Sequence, residues 1–188
     1  ASMTEPQAGA DPAEFTCTAT REGDEWVING EKWFASHARF SEFLLVMVVT
    51  NPDVPIHEGA SIILVEKGTP GMDILRNSAV GPYVEQGDGV HAYIRFTNCR
   101  VPAENLLGEE GKGFLVAQTR LGGGRVHHAM RSVGVLKKAM DMMCERVLSR
   151  TTKGELLATK QMTQDKIADS YTQILQYRLH VLYTAWLI

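Results

Sequence analysis

The chain has 188 residues, of which 44% are hydrophobic and 22% charged, and its formal net charge is −3. This length can bury the core of one domain or of two small ones, and the charge provides no basic field for nucleic acid or anionic lipid. The three cysteines, Cys17, Cys99 and Cys144, are far apart and form no CxxC pair, which argues against a disulfide framework or zinc ribbon and favours a reducing compartment.

The chain begins with a polar loop at residues 1–11, in which Pro6 and Gly9 set the bends. Backbone amides in such a loop can hold an anion, although an ordinary solvated turn has the same composition. Residues 15–21 then alternate in the manner of a half-buried strand, and residues 22–24 predict the turn that ends it.

Asn29 and Gly30 lie between two apolar triplets and predict a β-hairpin, because both residues tolerate the positive φ of a type I′ turn. Alternation predicts two faces on the strand that follows: Lys32, Phe34 and Ser36 on one, and Trp33 and Ala35 on the other. An aromatic ring two residues from a hydroxyl can stack on a flat heteroaromatic ring and hydrogen-bond its edge, which suits a flavin. The alternative is that these aromatic residues fill a core.

Further short runs predict strands at residues 43–50, 61–66, 72–75 and 90–98, with a loop at residues 51–59. Several short strands with turns every ten or so residues indicate an antiparallel β-barrel or sandwich. The sequence contains no GxGxxG or Walker motif, and the glycine-rich residues 108–113 predict the entry to a helix.

From Gly113 the apolar period becomes helical and predicts a helix of about seven turns, then a second helix from about Glu155 to the end. The apolar stripe of the first comprises Val126, Ala129, Met130, Val133, Leu136, Met140, Met143, Cys144 and Val147. The inner face of the second comprises Ile167, Tyr171, Ile174, Leu175, Leu182 and Ala185. The predicted fold is α+β, with a β-barrel-like middle domain at residues 1–107 and an incomplete helical domain at residues 108–188. We expect a fragment of a longer chain.

The sequence argues against a metal site at the histidines and against a membrane span at the apolar end of the chain. His127 and His128 would point about 100° apart on a helix and cannot chelate one ion together, so we expect no metal site. Residues 174–188 are apolar but contain Gln176, Arg178 and His180, which argues against a membrane span.

Three stretches resemble, in the right order, motifs of the acyl-CoA dehydrogenase family. They are MTEPQAGAD at residues 3–11 for TEPxAGSD, NGEKWFAS at residues 29–36 for NGxKxWIT, and residues 150–161 for RxxFGxxLxxxQ. The segments LGGGRVHHAMR at 121–131 and MCER at 143–146 look most like the branch of family members ten and eleven. The resemblance covers nearly the whole chain and implies an FAD-dependent oxidoreductase of fatty acid β-oxidation that acts on acyl-CoA.

The resemblance implies that FAD lies along the first loop and the strand end. Thr4 and its neighbours would bond the polar edge of the ring, Phe34 would cover the ring, and the Ser36 hydroxyl would sit beside N5. Ala10 stands where the family usually has serine, so only its backbone could reach the cofactor and the thioester. The cofactor-binding residues implied for this part are Met3, Thr4, Gly9, Ala10, Phe34, Ala35 and Ser36.

The implied substrate-binding residues are Ala10, Gly122 and Arg125. In the family the arginine that matches Arg125 sits by the acyl-CoA tail, although a solvated arginine at a helix end is the alternative. Gly122, Gly123 and Gly124 depart from family members that have a polar residue against pantetheine, and we expect these glycines to open room for a bulky acyl chain.

Residues 150–161 resemble the segment that reaches across a subunit boundary to the flavin diphosphate, with Arg150, Thr152 and Gln161 as implied ligands. An arginine can clasp phosphate oxygens bidentately. Lys153 replaces the family's phenylalanine, and charge alone would make Arg150 and Lys153 a solvated face. Because this grip would come from a neighbouring chain, the resemblance implies a homodimer or homotetramer.

The implied chemistry needs a carboxylate base for the α proton. The family places it at the position of Gly124, where this chain has no carboxylate, or in helices beyond Ile188, so no catalytic residue is assigned. Electrons would pass to an electron-transferring flavoprotein, in the cytoplasm if the source is bacterial and in mitochondria or peroxisomes if it is eukaryotic. A same-fold acyl-CoA oxidase or flavin monooxygenase and a non-enzymatic β-plus-helix interaction module stay open as alternatives.

Overall fold

The computed structural model describes residues 1–79 and 90–188. These residues form two compact units, unit 1 at Ala1–Gln118 and unit 2 at Thr119–Ile188. The predicted domain boundary after residue 107 stays a prediction.

Unit 1 is built on one six-stranded sheet. Its strands are β1 (Thr18–Glu22), β2 (Glu25–Ser36), β3 (Phe43–Val49), β4 (Ala60–Glu66), β5 (Met72–Asn77) and β6 (His91–Pro102), and the predicted loop before β4 includes a one-turn helix α1 (Ile56–Gly59). The spatial order is β4-β3-β1-β2-β6-β5, with β1 and β3 parallel and the other pairings antiparallel. The predicted α+β class is confirmed. The described strands form an open sheet and not a closed barrel, and the parallel pairing of β1 with β3 makes this sheet mixed where an antiparallel one was predicted.

The core of unit 1 is one cluster of buried side chains drawn from distant strands of this sheet. Ile63 on β4 and Phe96 on β6 belong to the same cluster as Ile28 on β2, although three strands separate β4 from β6. The sheet therefore curls around its own core. Burial of each large apolar side chain in this cluster contributes about 1.5–3 kcal/mol, which favours this curled form over a flat one.

The predicted hairpin turn at Asn29 and Gly30 is wrong. β2 runs unbroken through both residues. β1 turns into β2 at Gly23, whose φ is 62°, which confirms the predicted turn at residues 22–24. Asn-Gly was a correct signal of unusual backbone, because Gly30 does have a positive φ of 135°. The positive φ of Gly30 results from contacts with the neighbouring strands, and a turn signal carries no information about such contacts.

A β-bulge and a close approach explain the glycine at position 30. Ile28 pairs with Cys99 and Gly30 pairs with Phe96, so β6 has one residue more than β2 in this interval. On the other side of β2, a Cβ added at Gly30 would lie 2.5 Å from the Cα of Cys17. Only glycine allows both this φ and this contact.

Unit 2 contains two helices joined by a small strand pair. The elements are α2 (Gly113–Ser149), which begins in unit 1, β7 (Thr151–Thr152), β8 (Glu155–Leu156) and α3 (Gln161–Leu187). The helix entry at Gly113 is confirmed, but the predicted start of the second helix at Glu155 is wrong. Lys153 and Gly154 have φ values of 50° and 80°, and they turn β7 back onto β8 before α3 begins.

The helices bury less of their apolar faces than predicted. On α2, Val133 is buried as expected but Leu136 is 40% exposed. On α3, Val181 is buried although it was not predicted, whereas Tyr171 and Leu175 are exposed. Two helices alone cover only a narrow strip of each other, so a wide apolar face stays partly exposed. No helix among the described residues is long and apolar enough to cross a membrane.

Candidate functional site

The end of β2 carries a second β-bulge, at Phe34. Lys32 pairs with Ile94 and Ala35 pairs with Ala92, so β2 here has one residue more than β6. Phe34 has a φ of 52°, which non-glycine residues rarely adopt and which costs about 1–3 kcal/mol. Strain of this kind persists only where the surrounding structure enforces it, and it concentrates at functional sites.

The bulge changes which side chains share a face. Lys32 is fully buried, whereas Phe34 is 40% exposed and Ser36 is also exposed, so the prediction that all three share one face is wrong for Lys32. The Trp33 and Phe34 rings stack with centroids 4.9 Å apart, although alternation placed them on opposite faces. Consecutive residues can stack in this way because the extra residue interrupts the alternation.

Backbone hydrogen bonds join the start of the polar loop to β2 and β3. Ser2 N donates to Leu45 O at 2.7 Å, and Trp33 N donates to Thr4 O at 2.7 Å. These bonds bring the loop beside the bulged end of β2. Four residues predicted to bind the cofactor meet there and are referred to below as the Phe34 corner: Met3, Thr4, Phe34 and Ser36.

A buried ion pair fastens the same loop to β2. Lys32 Nζ lies 2.8 Å from Glu5 Oε1 and donates to Met3 O at 2.9 Å, and both charged side chains are almost fully buried. The Glu5 carboxylate also accepts from Thr16 N at 2.7 Å and from Cys17 N at 3.1 Å. Burial alone would raise the pKa of Glu5, but the Lys32 ammonium and these N–H donors together lower that pKa below its usual value. Glu5 is therefore ionised at neutral pH.

His91 belongs to this corner, although the sequence predicted no role for it. It pairs with Ser36 across β2 and β6, and its Nδ1 lies 3.0 Å from Ser36 Oγ. Its ring also meets the Phe34 ring edge-on, with centroids 6.4 Å apart. The histidine spacings argue against a metal site but do not indicate a contact with Ser36. The strand register would have identified His91, but that register depends on the bulge at Phe34.

A groove of about 420 Å³ opens beside the corner and is lined by Ser2, Ser36 and Phe43, among others. The Ser2 hydroxyl is buried and has no hydrogen-bond partner among the described residues. An unpaired buried hydroxyl costs about 1–3 kcal/mol. The groove therefore suits a ligand that brings both apolar surface and polar atoms.

The other predicted residues of unit 1 lie close by in sequence. Ala35 is buried between Phe34 and Ser36. Glu5 and Ala8 exchange two backbone hydrogen bonds, which close a turn, and Gly9 and Ala10 follow as exposed residues. Contacts to a ligand from Gly9 and Ala10 stay predictions.

In unit 2, Gly122 and Arg125 lie inside α2, which begins at Gly113. A Cβ added at Gly122, Gly123 or Gly124 would meet no side chain or other element of the described residues within 4 Å. Each glycine in a helix interior costs about 1 kcal/mol relative to alanine. Arg125 lines a groove of about 250 Å³ together with residues of both helices. Room for an acyl chain beside these glycines stays a prediction.

The residues predicted to hold a diphosphate surround the strand pair of unit 2. Arg150 follows α2, Thr152 lies on β7, Gln161 begins α3, and all three are exposed. Within the described part of the chain, no carboxylate forms an ion pair with the Arg150 guanidinium. An exposed arginine beside a tight strand pair has the chemistry of a phosphate ligand.

Two family profiles match the chain, one in its β part and one in its helical part. The profile described as "Acyl-CoA dehydrogenase, middle domain" matches residues 1–99, and "Acyl-CoA dehydrogenase, C-terminal domain" matches residues 111–188. The fold and the site thus define a dehydrogenase middle domain followed by helices of a C-terminal domain. The chain belongs to the acyl-CoA dehydrogenase family.

Similar curated proteins include members of the branch predicted from the sequence. The chain is 43% identical to "Probable acyl-CoA dehydrogenase FadE2" of Mycobacterium tuberculosis, covering 100% of this chain and 46% of that protein. It is 38% identical to human acyl-CoA dehydrogenase family member 11, covering 97% of this chain and 24% of that protein. Mouse family member 10 is 39% identical, and the predicted resemblance to this branch is confirmed. The chain spans about half the length of the mycobacterial relative.

Solved structures show the same fold. The acyl-CoA dehydrogenase from Geobacillus kaustophilus is 33% identical and superposes with a TM-score of 0.80 over 96% of this chain and 47% of that one. The butyryl-CoA dehydrogenase from Megasphaera elsdenii is 30% identical, also with a TM-score of 0.80, over 97% of this chain and 47% of that one.

Proposed function

We propose that the full-length protein is an FAD-dependent acyl-CoA dehydrogenase, which removes hydrogens from the α and β carbons of an acyl-CoA thioester. Bound FAD would supply the acceptor, at flavin N5, for the hydride from the β carbon. No residue of this chain is assigned as the base for the α proton. The chain's own contribution is to bind and orient the two ligands.

The observation that carries this proposal is the strained backbone of Phe34 beside the Ser36 hydroxyl. The fold holds an aromatic ring partly exposed in a conformation that costs free energy, although burial would have been more favourable for an isolated phenylalanine. A flat heteroaromatic ligand offsets that cost by stacking on the ring.

The donors and acceptors of the Phe34 corner fit a flavin. Phe34 would cover the ring, and Ser36 would supply a hydroxyl beside N5. Thr4 and Met3 would face the polar edge of the ring, held there by the Trp33 N–H and the Lys32 ammonium. The adjoining groove, which Ser36 and Phe43 help to line, supports the binding of a ligand at this place.

Unit 2 would contact the charged parts of the ligands. Arg125 and Gly122 would lie against acyl-CoA, and Arg150, Thr152 and Gln161 would hold the FAD diphosphate of a neighbouring subunit. This arrangement requires a homodimer or homotetramer. An electron-transferring flavoprotein would reoxidise the enzyme.

The test is a visible absorption spectrum of the purified full-length protein, recorded without oxygen before and after a series of acyl-CoA thioesters. We expect flavin bands that bleach with thioester, fastest with the preferred acyl chain. A protein that is colourless and takes up no added FAD would contradict the proposal.

Two serine variants test whether the Phe34 corner takes part in the bleaching reaction. Ser36→Ala should slow the bleaching about tenfold or more, because a hydrogen bond at the reacting atom is lost. Ser132→Ala changes an exposed serine of α2. It should leave the bleaching rate within about twofold of the wild-type rate, as expected for a neutral surface change. Equal effects of the two changes would remove Ser36 from the site.

A further inference from the structure

His91 contacts both residues that the proposed function places against the flavin ring. Its Nδ1 lies 3.0 Å from the Ser36 hydroxyl oxygen, and its ring meets the edge of the Phe34 ring. The two contacts are fixed by the pairing of Ser36 with His91 across β2 and β6. His91 is therefore adjacent to the proposed reacting centre without having been assigned to it.

We propose that His91 is a positioning residue that orients the Ser36 hydroxyl, so that Ser36 presents its lone pairs to the flavin. This inference rests on the proposed function. A serine hydroxyl has one proton to donate and two lone pairs to accept with. When the proton is given to a neighbour in the protein, only the lone pairs are left for a ligand.

The distances limit where the Ser36 proton can go. Two acceptors lie within its reach, His91 Nδ1 at 3.0 Å and the Phe34 carbonyl oxygen at 3.5 Å. The carbonyl lies at the outer limit of a hydrogen bond, whereas 3.0 Å is an ordinary length. Either atom of this pair can donate, depending on the imidazole tautomer. The proposed orientation of Ser36 requires the tautomer with its proton on Nε2, in which Nδ1 accepts.

The orientation of this hydroxyl matters because flavin N5 changes its hydrogen-bonding character with oxidation state. N5 is an acceptor in the oxidised ring and an N–H donor in the reduced ring. A lone pair of Ser36 directed at N5 pairs with the reduced form and not with the oxidised form. His91 would thus increase the affinity for reduced FAD relative to oxidised FAD and make the bound flavin easier to reduce.

The test compares two His91 variants in the full-length holoprotein. His91→Leu removes the acceptor, whereas His91→Asn keeps one near the position of Nδ1. We expect His91→Leu to lower the ratio of reduced to oxidised FAD affinity about tenfold, as for the loss of one net hydrogen bond. That change lowers the two-electron midpoint potential by about 30 mV. His91→Asn should restore most of the loss.

Measurements in the Ser36→Ala variant distinguish two roles of His91, orientation of the Ser36 hydroxyl and stabilisation of the fold. In Ser36→Ala protein, His91→Leu should cause no further change of potential, because the hydroxyl it orients is gone. Without FAD, the 15N shift of His91 Nδ1 should differ between wild type and Ser36→Ala, which reports the Ser36–His91 hydrogen bond directly.

The outcomes are distinguishable. A potential that rises or stays the same in His91→Leu would overturn the inference, and so would an equal shift in the Ser36→Ala background. Loss of thermal stability with an unchanged potential would make His91 purely structural. Failure of the full-length wild-type protein to bind FAD would contradict the proposed function itself, and the inference with it.

Discussion

In unit 1, the residues proposed to meet the flavin ring stand on backbone that buried contacts hold in place. In unit 2, the residues proposed to meet phosphate and thioester are exposed. The Glu5–Lys32 ion pair and the hydrogen bond from Trp33 N to Thr4 O hold the Phe34 corner in place. Arg150, by contrast, lies exposed next to a two-residue strand pair.

The two regions differ in how firmly their residues are held because they are proposed to bind different parts of the ligands. Hydride transfer needs the flavin ring in one orientation, and a shift of 1 Å can cost about a hundredfold in rate. A phosphate can be met by a long arginine from several directions, so less of its surroundings must be fixed. Changes at the Phe34 corner and at its supporting contacts should therefore affect stability and binding together, whereas changes at the exposed residues of unit 2 proposed to bind phosphate should affect binding alone.

The largest effect is expected from Lys32→Met. It leaves the Glu5 carboxylate buried without its cation, which should lower the free energy of unfolding by about 3–5 kcal/mol. Urea denaturation followed by circular dichroism measures this loss. Lys153→Met, at an exposed lysine of unit 2, should change stability by less than about 0.5 kcal/mol. Comparable losses in the two variants would break the contrast between the units.

Gly30→Ala should be the next most severe change. Its φ of 135° and the approach of the Cys17 Cα to 2.5 Å from a new Cβ are both unfavourable for alanine, and we expect a loss of about 2–4 kcal/mol. Gly123→Ala in α2 meets no neighbour of the described residues and should raise helix stability by up to about 1 kcal/mol. A lower melting temperature of Gly30→Ala and a higher one of Gly123→Ala would sharpen the contrast between the units. Changes in the same direction in both variants would refute it.

A smaller effect is expected from pH. The pKa of Glu5 is lowered in the folded state from its usual value near 4.5, because the Lys32 ammonium and backbone N–H donors stabilise the carboxylate. Its stabilising contribution is therefore present above about pH 4.5 and is lost as pH falls through the lower folded pKa. The stability difference between wild type and Glu5→Gln should therefore shrink below pH 4.5. Urea titrations at stepped pH measure it, and a difference that stays constant down to pH 2 would exclude this role of Glu5.

The smallest effect on stability is expected from Arg150→Ala. Because its side chain is exposed, the free energy of unfolding should change by less than about 0.5 kcal/mol. FAD binding by the full-length protein should nevertheless weaken about tenfold or more, because a bidentate phosphate contact is lost. Arg146→Ala, at another exposed arginine, serves as the control in equilibrium dialysis. Equal FAD affinities of the two variants would remove Arg150 from the site.

The sequence predicted those features that local patterns determine. Strand alternation and apolar runs located the strands of the sheet, and the change of period located α2. The spacing of Phe34 and Ser36 indicated a candidate site at the end of β2, which stays a prediction. The α+β class followed from these elements. Each of these signals depends on neighbouring residues alone, which is why it could be recognised without a structure.

The features that the sequence did not predict depend on contacts between distant residues. Asn29 and Gly30 have the chemistry of a turn, and only the contact with Cys17 and the register against β6 make them part of a strand. The burial of Lys32 depends on Glu5, which lies 27 residues earlier. The proximity of His91 to Ser36 depends on a bulge that alternation does not anticipate.

The most direct test of the central claim is the dissociation constant of FAD in Phe34→Leu and Phe40→Leu forms of the full-length protein. Both phenylalanines are exposed in unit 1, but only Phe34 has the strained backbone at the end of β2. We expect Phe34→Leu to weaken FAD binding about tenfold, which corresponds to one lost aromatic stack. Phe40→Leu should leave the constant unchanged. Equal constants for the two variants would contradict the assignment of the Phe34 corner to the flavin.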